Sequence, residues 1–130
     1  MAVAPVAAHL SLGVRLDELG PPAADVNLLD FQKPLFEERQ LIGAIIYIDG
    51  FGNLITNIEL PHLRQIPTTA ITVCCKQQRI EGISRTYAQH PPGTLIALPS
   101  SRGHLELAVV GGNASLHLDA RTSDTVVLRW

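Results

Sequence analysis

From Gln40 onward, glycine and proline punctuate the chain so closely that it divides into short β-branched runs. That spacing is its strongest constraint on fold. Leu41-Ile42-Gly43-Ala44-Ile45-Ile46-Tyr47-Ile48 reads as a buried strand, turned by Asp49-Gly50. Phe51–Ile58 begins as a loop and continues as a short strand, and Pro61 and Pro67 bracket a surface connection. Ala70–Lys76 and Gln77–Ile83 read as a hairpin or bent strand pair, and Tyr87–Gly93 as a loop. Thr94–Leu98, His104–Val110 and Thr125–Trp130 read as strands, with one helical turn expected over Ala114–Leu118. The expectation is an all-β barrel or sandwich over residues 40–130. Ahead of it, Val6, Leu10, Gly13, Leu16 and Leu19 fall near helical spacing, and Gly20-Pro21-Pro22 stops the segment. Residues 1–39 are therefore expected to be a helical leader and linker.

Composition narrows the function classes. With 130 residues, 46% of them apolar and 17% charged, the chain buries a core without staples and is no disordered segment. Its ten Lys and Arg residues are scattered and the net charge is −2, so no basic patch points to nucleic acid or to an anionic membrane surface. No window approaches the roughly 20 apolar residues of a membrane span. The start lacks the basic flank of a signal peptide. Cys74 and Cys75 are adjacent, so on a strand one points inward and one outward, which suits reduced thiols and a cytoplasmic protein. The five histidines show no metal-ligand spacing and read as surface or strand-end residues, so no metal is expected.

Two segments concentrate polar and flexible chemistry. Ile48–Ile58 holds Asp49, Phe51, two glycines, Asn53 and Asn57. Asn53 offers a paired donor and acceptor, as an adenine edge needs, and Phe51 a flat apolar face. Asp-Gly and Gly-Asn are also ordinary turn chemistry, and spacing alone favours a turn over a site. Pro99–Asn113 places Ser101 and Arg102 at the start of a strand, where hydroxyl and guanidinium donors suit a carboxylate; a solvated turn fits the same residues.

Together these segments carry a resemblance. Asp49-x-Phe51-Gly52-Asn53-Leu54-Ile55-Thr56-Asn57 closely resembles the C-terminal domain of the S-adenosyl-L-methionine hydroxide adenosyltransferases, relatives of the fluorinase and chlorinase enzymes. Ser100-Ser101-Arg102-Gly103-His104-Leu105-Glu106-Leu107-Ala108, with Gly112-Asn113-Ala114, is similar to the same domain. Ala4-Pro5-Val6-Ala7-Ala8-His9-Leu10 with Leu19-Gly20-Pro21-Pro22 resembles the helix and linker between that family's two domains.

The resemblance implies a small barrel-like adenosine-binding domain in a trimeric enzyme that hydrolyses S-adenosyl-L-methionine to adenosine and L-methionine. The substrate lies between this domain and the N-terminal domain of a neighbour. By the same resemblance Asn53 and Phe51 hold the adenine, Tyr87 packs on it, and the backbone around Val110 and Gly111 completes its edge contacts. Ser101 and Arg102 take the methionine carboxylate and Asp49 its ammonium, although halogenase relatives have one more residue between that acid and the phenylalanine. Leu54-Ile55 resembles the hydroxide-using members. The family's water-activating and ribose-binding residues belong to the N-terminal domain, which the resemblance does not cover. The chain is thus expected to be a fragment, a split subunit or a stand-alone binding domain. It contributes no catalytic residue, needs no cofactor beyond the substrate itself, and is inactive alone. A non-catalytic adenosine-binding or oligomerisation domain is the alternative.

Overall fold

A computed structural model describes residues 3–25, 32–67 and 69–130. The chain divides into two compact units, Met1–Asp30 and Phe31–Trp130. In the first, the leader is a broken helix: α1 spans Val3–Ser11 and a 3-10 turn spans Leu16–Glu18. Gly13, at φ +88°, ends α1. The linker expected after Gly20 is described at 21–25 and 32–34, and the remainder lies outside the described residues. No helix among the described residues is long and apolar enough to cross a membrane.

Among the described residues, the second unit contains eight strands: β1 (Leu35–Glu37), β2 (Gln40–Ile48), β3 (Leu54–Glu59), β4 (Thr72–Cys75), β5 (Gln78–Glu81), β6 (Leu95–Pro99), β7 (His104–Val109) and β8 (Thr125–Arg129). The single-turn helices α2 (Leu60–Leu63) and α3 (Ala114–Leu118) and a 3-10 turn over Tyr87–Gln89 accompany them. All strand pairs are antiparallel, in the order β5-β4-β8-β2-β3-β7-β6, with β1 against β2. The result is a nearly closed, barrel-like sheet. Beyond β5, Ser84 N–H donates to the Ala97 carbonyl of β6 at 2.7 Å and links the two ends of the strand order.

Alternation builds the core. Leu41 and Ile45 of β2, Val73 and Cys75 of β4, Leu105 and Leu107 of β7, and Val126 and Leu128 of β8 are buried together with Leu54 and Ile58. Each such side chain contributes roughly 1.5–3 kcal/mol on burial. Cys75 faces this core and Cys74 points away, both as free thiols. β1 was not expected from the sequence. Its three residues are exposed and bracketed by Pro34 and the Glu38-Arg39 turn, so it carries no hydrophobic alternation to announce it.

β3 is irregular on both sides. Its register slips against β2 between Ile45 and Tyr47, and against β7 between Ile55 and Glu59. Side chains replace the lost ladder bonds. Asn57 Oδ1 accepts from Ala44 N–H at 2.8 Å, and Thr56 Oγ1 donates to the Leu105 carbonyl at 2.8 Å. His104 Nδ1 lies 2.9 Å from the Thr56 carbonyl, which can only accept, so Nδ1 carries the proton. A Cβ on Gly43 would fall 2.6 Å from Asn57 Oδ1, so this close approach requires glycine.

Candidate functional site

The turn between β2 and β3 is organised by one carboxylate. Asp49 Oδ1 accepts from Phe51 N–H and Asn53 N–H, both at 2.9 Å, and Oδ2 accepts from Asn53 Nδ2 at 3.0 Å. Burial would raise the Asp49 carboxyl. The hydrogen bonds from Asn53, Phe51 and Gly52 outweigh that, and hold it below its ordinary value. The turn is braced from outside: Ser115 N–H donates to the Gly52 carbonyl at 3.0 Å, while Asn113 Oδ1 caps α3 through Leu116 N–H at 2.9 Å. Of the two readings left open by the sequence, the structure shows the turn.

The turn between β6 and β7 is tight. Gly103 N–H donates to the Ser100 carbonyl and Ser100 N–H to the His104 carbonyl, at 3.0 and 2.7 Å. This leaves Ser101 and Arg102 exposed at its tip. A third element, a 3-10 turn over Tyr87–Gln89, is capped by Thr86 Oγ1, which accepts from Ala88 N–H.

These three elements meet over the outer face of β7. Leu105, Leu107 and Val109 point into the core, whereas Glu106 shares the opposite face with Ala108. Tyr87 reaches over that face, and its hydroxyl donates to Glu106 Oε1. Glu106 is only 7% exposed. Burial, the bond to Glu106, and the negative charges of Glu106 and Asp49 all push the Tyr87 phenol up, so it remains a donor at any physiological pH.

Two adjoining clefts result. The larger, about 800 Å³, is lined by Asn53, Tyr87, Gly111 and Asn113 among others; the smaller, about 360 Å³, by Tyr47, Ile55 and Arg102. Asp49, Phe51, Ser100, Ser101 and Glu106 line both and form the wall between them. The sequence-expected residues Asp49, Phe51, Asn53, Tyr87, Ser101, Arg102 and Gly111 are thus brought together from three segments. Val110 is not on the lining. Its side chain packs with Ile96, Leu98 and Ala108, its N–H donates to the Thr94 carbonyl at 3.0 Å, and its carbonyl accepts from Gly93 at 2.7 Å.

Sequence reasoning missed Glu106 and Asn113. The signal for Glu106 was an acid inside an otherwise apolar strand; for Asn113, an Asn directly ahead of a helical turn. A separate cavity of about 540 Å³, lined by Lys33, Asn57, His62 and His104 among others, contains none of the expected site residues. No cluster of three metal-ligating side chains occurs among the described residues.

The fold is a nearly closed, barrel-like β domain with two adjoining clefts, lined by polar and aromatic side chains, on its outer surface. Residues 43–127 match the SAM hydroxide adenosyltransferase C-terminal domain, and the chain belongs to that family. It is 33% identical over 111 residues to a (R)-S-adenosyl-L-methionine hydrolase of Thermus thermophilus, covering 85% of this chain and 40% of that protein. A hydrolase of the same name from Salinispora arenicola is 30% identical over 114 residues, covering 86% and 42%. The chain therefore spans about two fifths of the length of these relatives. Among solved structures, an uncharacterized conserved protein from Thermotoga maritima superposes with a TM-score of 0.78 at 30% identity, over 98% of this chain and 50% of that one. A conserved hypothetical protein from Thermus thermophilus gives 0.68 at 31% identity, over 96% and 49%.

Proposed function

We propose that the bipartite cleft binds S-adenosyl-L-methionine, and that this chain is the substrate-binding half of an enzyme that hydrolyses it to adenosine and L-methionine. The observation that carries this reading is the convergence of Asn53 and Tyr87 on one lobe and Arg102 on the other, across a wall that holds Phe51 and Ser101. The larger lobe takes the adenine: Phe51 and Tyr87 offer aromatic faces, and the Asn53 amide retains a carbonyl and an N–H beyond the one it gives Asp49. The smaller lobe takes the amino acid: Arg102 and Ser101 face the carboxylate and Asp49 the ammonium.

In the reaction a water oxygen bonds to the ribose C5′, the C5′–S bond breaks with its electron pair going to sulfur, and the water releases a proton. This domain binds and orients the substrate, and a separate N-terminal domain activates the water. The assembly is a trimer and the isolated chain is inactive. Phe51 and Leu116 stand 81% and 80% exposed, apolar surface that a covering partner would remove from water.

Titration of the chain with adenosine, followed by NMR at the amides of Asn53, Tyr87 and Arg102, tests the reading. Saturable shifts confined to the larger lobe are expected. Absence of shifts up to millimolar adenosine, together with no adenosine formation from S-adenosyl-L-methionine after mixing with an N-terminal half, would leave only an assembly role.

A further inference from the structure

The wall shared by the two lobes contains two acids, and they are not equivalent. A ligand with its purine in one lobe and its amino acid in the other must lay its middle across that wall. Asp49 is already engaged there: both its oxygens accept bonds within its own turn, and what acceptor capacity remains goes to the ammonium in the binding reading. Glu106 is different. Oε1 accepts from Tyr87, and among the described residues Oε2 has no recorded partner. No buried side-chain oxygen among the described residues lacks a hydrogen-bond partner, so Oε2 reaches the cleft rather than being sealed beneath it. Glu106 as a whole is 7% exposed, its carboxyl group tied to the Tyr87 turn. Charge in such a position is poorly screened and acts strongly at short range.

We infer that Glu106 selects for a positively charged centre in the middle of the ligand, discriminating a sulfonium from the neutral thioether of otherwise identical structure. This rests on the binding reading above and deepens it by assigning recognition of the sulfonium to a residue of this chain. A sulfonium leaving water for the cleft loses hydration, and a fixed carboxylate opposite it compensates; a thioether has no charge for that carboxylate to meet. Tyr87 positions the carboxylate through its hydroxyl and supplies no charge of its own, since its phenol stays protonated.

Isothermal titration of the full chain with S-adenosyl-L-methionine and, separately, S-adenosyl-L-homocysteine tests this. Wild type is expected to favour the sulfonium by about tenfold, the size of a partly screened charge contact. Glu106→Gln keeps the shape and can still accept from Tyr87. It is expected to abolish that preference while leaving thioether affinity unchanged. Tyr87→Phe is expected to weaken both ligands and keep most of the preference. A Glu106→Gln chain that retains the preference, or loses affinity for both compounds equally, overturns the inference while the binding reading stands; equal loss would place the ammonium, not the sulfonium, opposite Glu106. A wild-type chain that binds neither compound, alone or mixed with an N-terminal half, overturns both. Amide spectra of the variants that match wild type away from position 106 exclude misfolding as the cause.

Discussion

Gly52 and Asn113 meet with no space between them: a Cβ on Gly52 would lie 2.1 Å from the Asn113 amide carbon. Gly52 also sits at φ +84°, where a side chain is strained in any case. Gly52→Ala is expected to cost about 3 kcal/mol, from left-handed strain plus the steric conflict. For a domain of this size that corresponds to a fall in Tm of roughly 10 °C. Asn113→Ala removes the cap of α3 and should cost about 1 kcal/mol. Because Asn113→Ala clears the space that the added methyl group needs, the double variant is expected to be more stable than the sum of the single losses predicts. Thermal melts of the four chains check this. Strict additivity would mean that the contact does not couple the turn to α3.

Asp49 ties the site's local geometry to pH. Its carboxyl is depressed below the ordinary value of 3.8 in the folded chain. A depressed carboxyl contributes stability that is complete above the unfolded value and is lost as pH falls through the folded value. Wild type is therefore expected to lose stability on acidification below about pH 4 more steeply than Asp49→Asn. At neutral pH the Asn variant is expected to be the less stable chain, since its amide nitrogen cannot accept from Asn53 Nδ2. Urea midpoints across the acidic range measure both. Parallel acid limbs would show that the Asp49 hydrogen bonds are not maintained in solution.

The adjacent thiols should differ sharply in reactivity. Cys75 is 2% exposed, and its thiol is pushed up to about 11, by burial and by the charge of Asp124, against a smaller opposing effect from Lys76. Cys74 points away from the core and is half-buried. Iodoacetamide near pH 8 is expected to modify Cys74 at least tenfold faster than Cys75 in the native chain, with the difference vanishing in denaturant. Peptide mass spectrometry over time reads the ratio. Equal native rates would indicate that β4 opens to solvent or is flipped in register.

What the sequence made legible follows one physical distinction. Strands that feed the main core, such as Leu41–Ile48 with its continuous β-branched run, announced themselves, although only alternate residues of β2 are fully buried. So did the turn chemistry of Asp49–Asn53 and Ser100–Gly103. Features made by one segment lying over another did not. β1 has no buried face to pattern it. Thr56, Asn57 and His104 mend the irregular register of β3 across 13 to 49 positions of sequence, a tertiary repair that no local period encodes. Glu106 is an acid in a largely apolar strand, a local signal whose meaning appears only once Tyr87 is known to cover it. Val110 was expected at the cleft by its place in a motif, yet its N–H and carbonyl bond to Thr94 and Gly93. The expectation concerned the backbone around Val110 and Gly111; Gly111 lies on the cleft, and the pairing that occupies the Val110 backbone needed the structure.

Arg102 separates binding from stability. It is exposed at the tip of the β6–β7 turn, and the structure records no hydrogen bond or ion pair from its guanidinium among the described residues. Its loss should leave the fold intact, with Tm within about 1 °C of wild type, since surface substitutions away from special features change little. In the binding reading its partner is the carboxylate at the far end of the ligand from the adenine. Arg102→Ala is therefore expected to weaken S-adenosyl-L-methionine about tenfold and to leave adenosine unaffected, because adenosine has nothing in the smaller lobe. Arg102→Lys should recover only part of the loss, since an ammonium cannot form the paired contact of a guanidinium. Titration of each variant with both ligands decides it. Equal weakening of adenosine and S-adenosyl-L-methionine would show that the smaller lobe does not hold the amino acid, and would redirect Arg102 to a different part of the ligand.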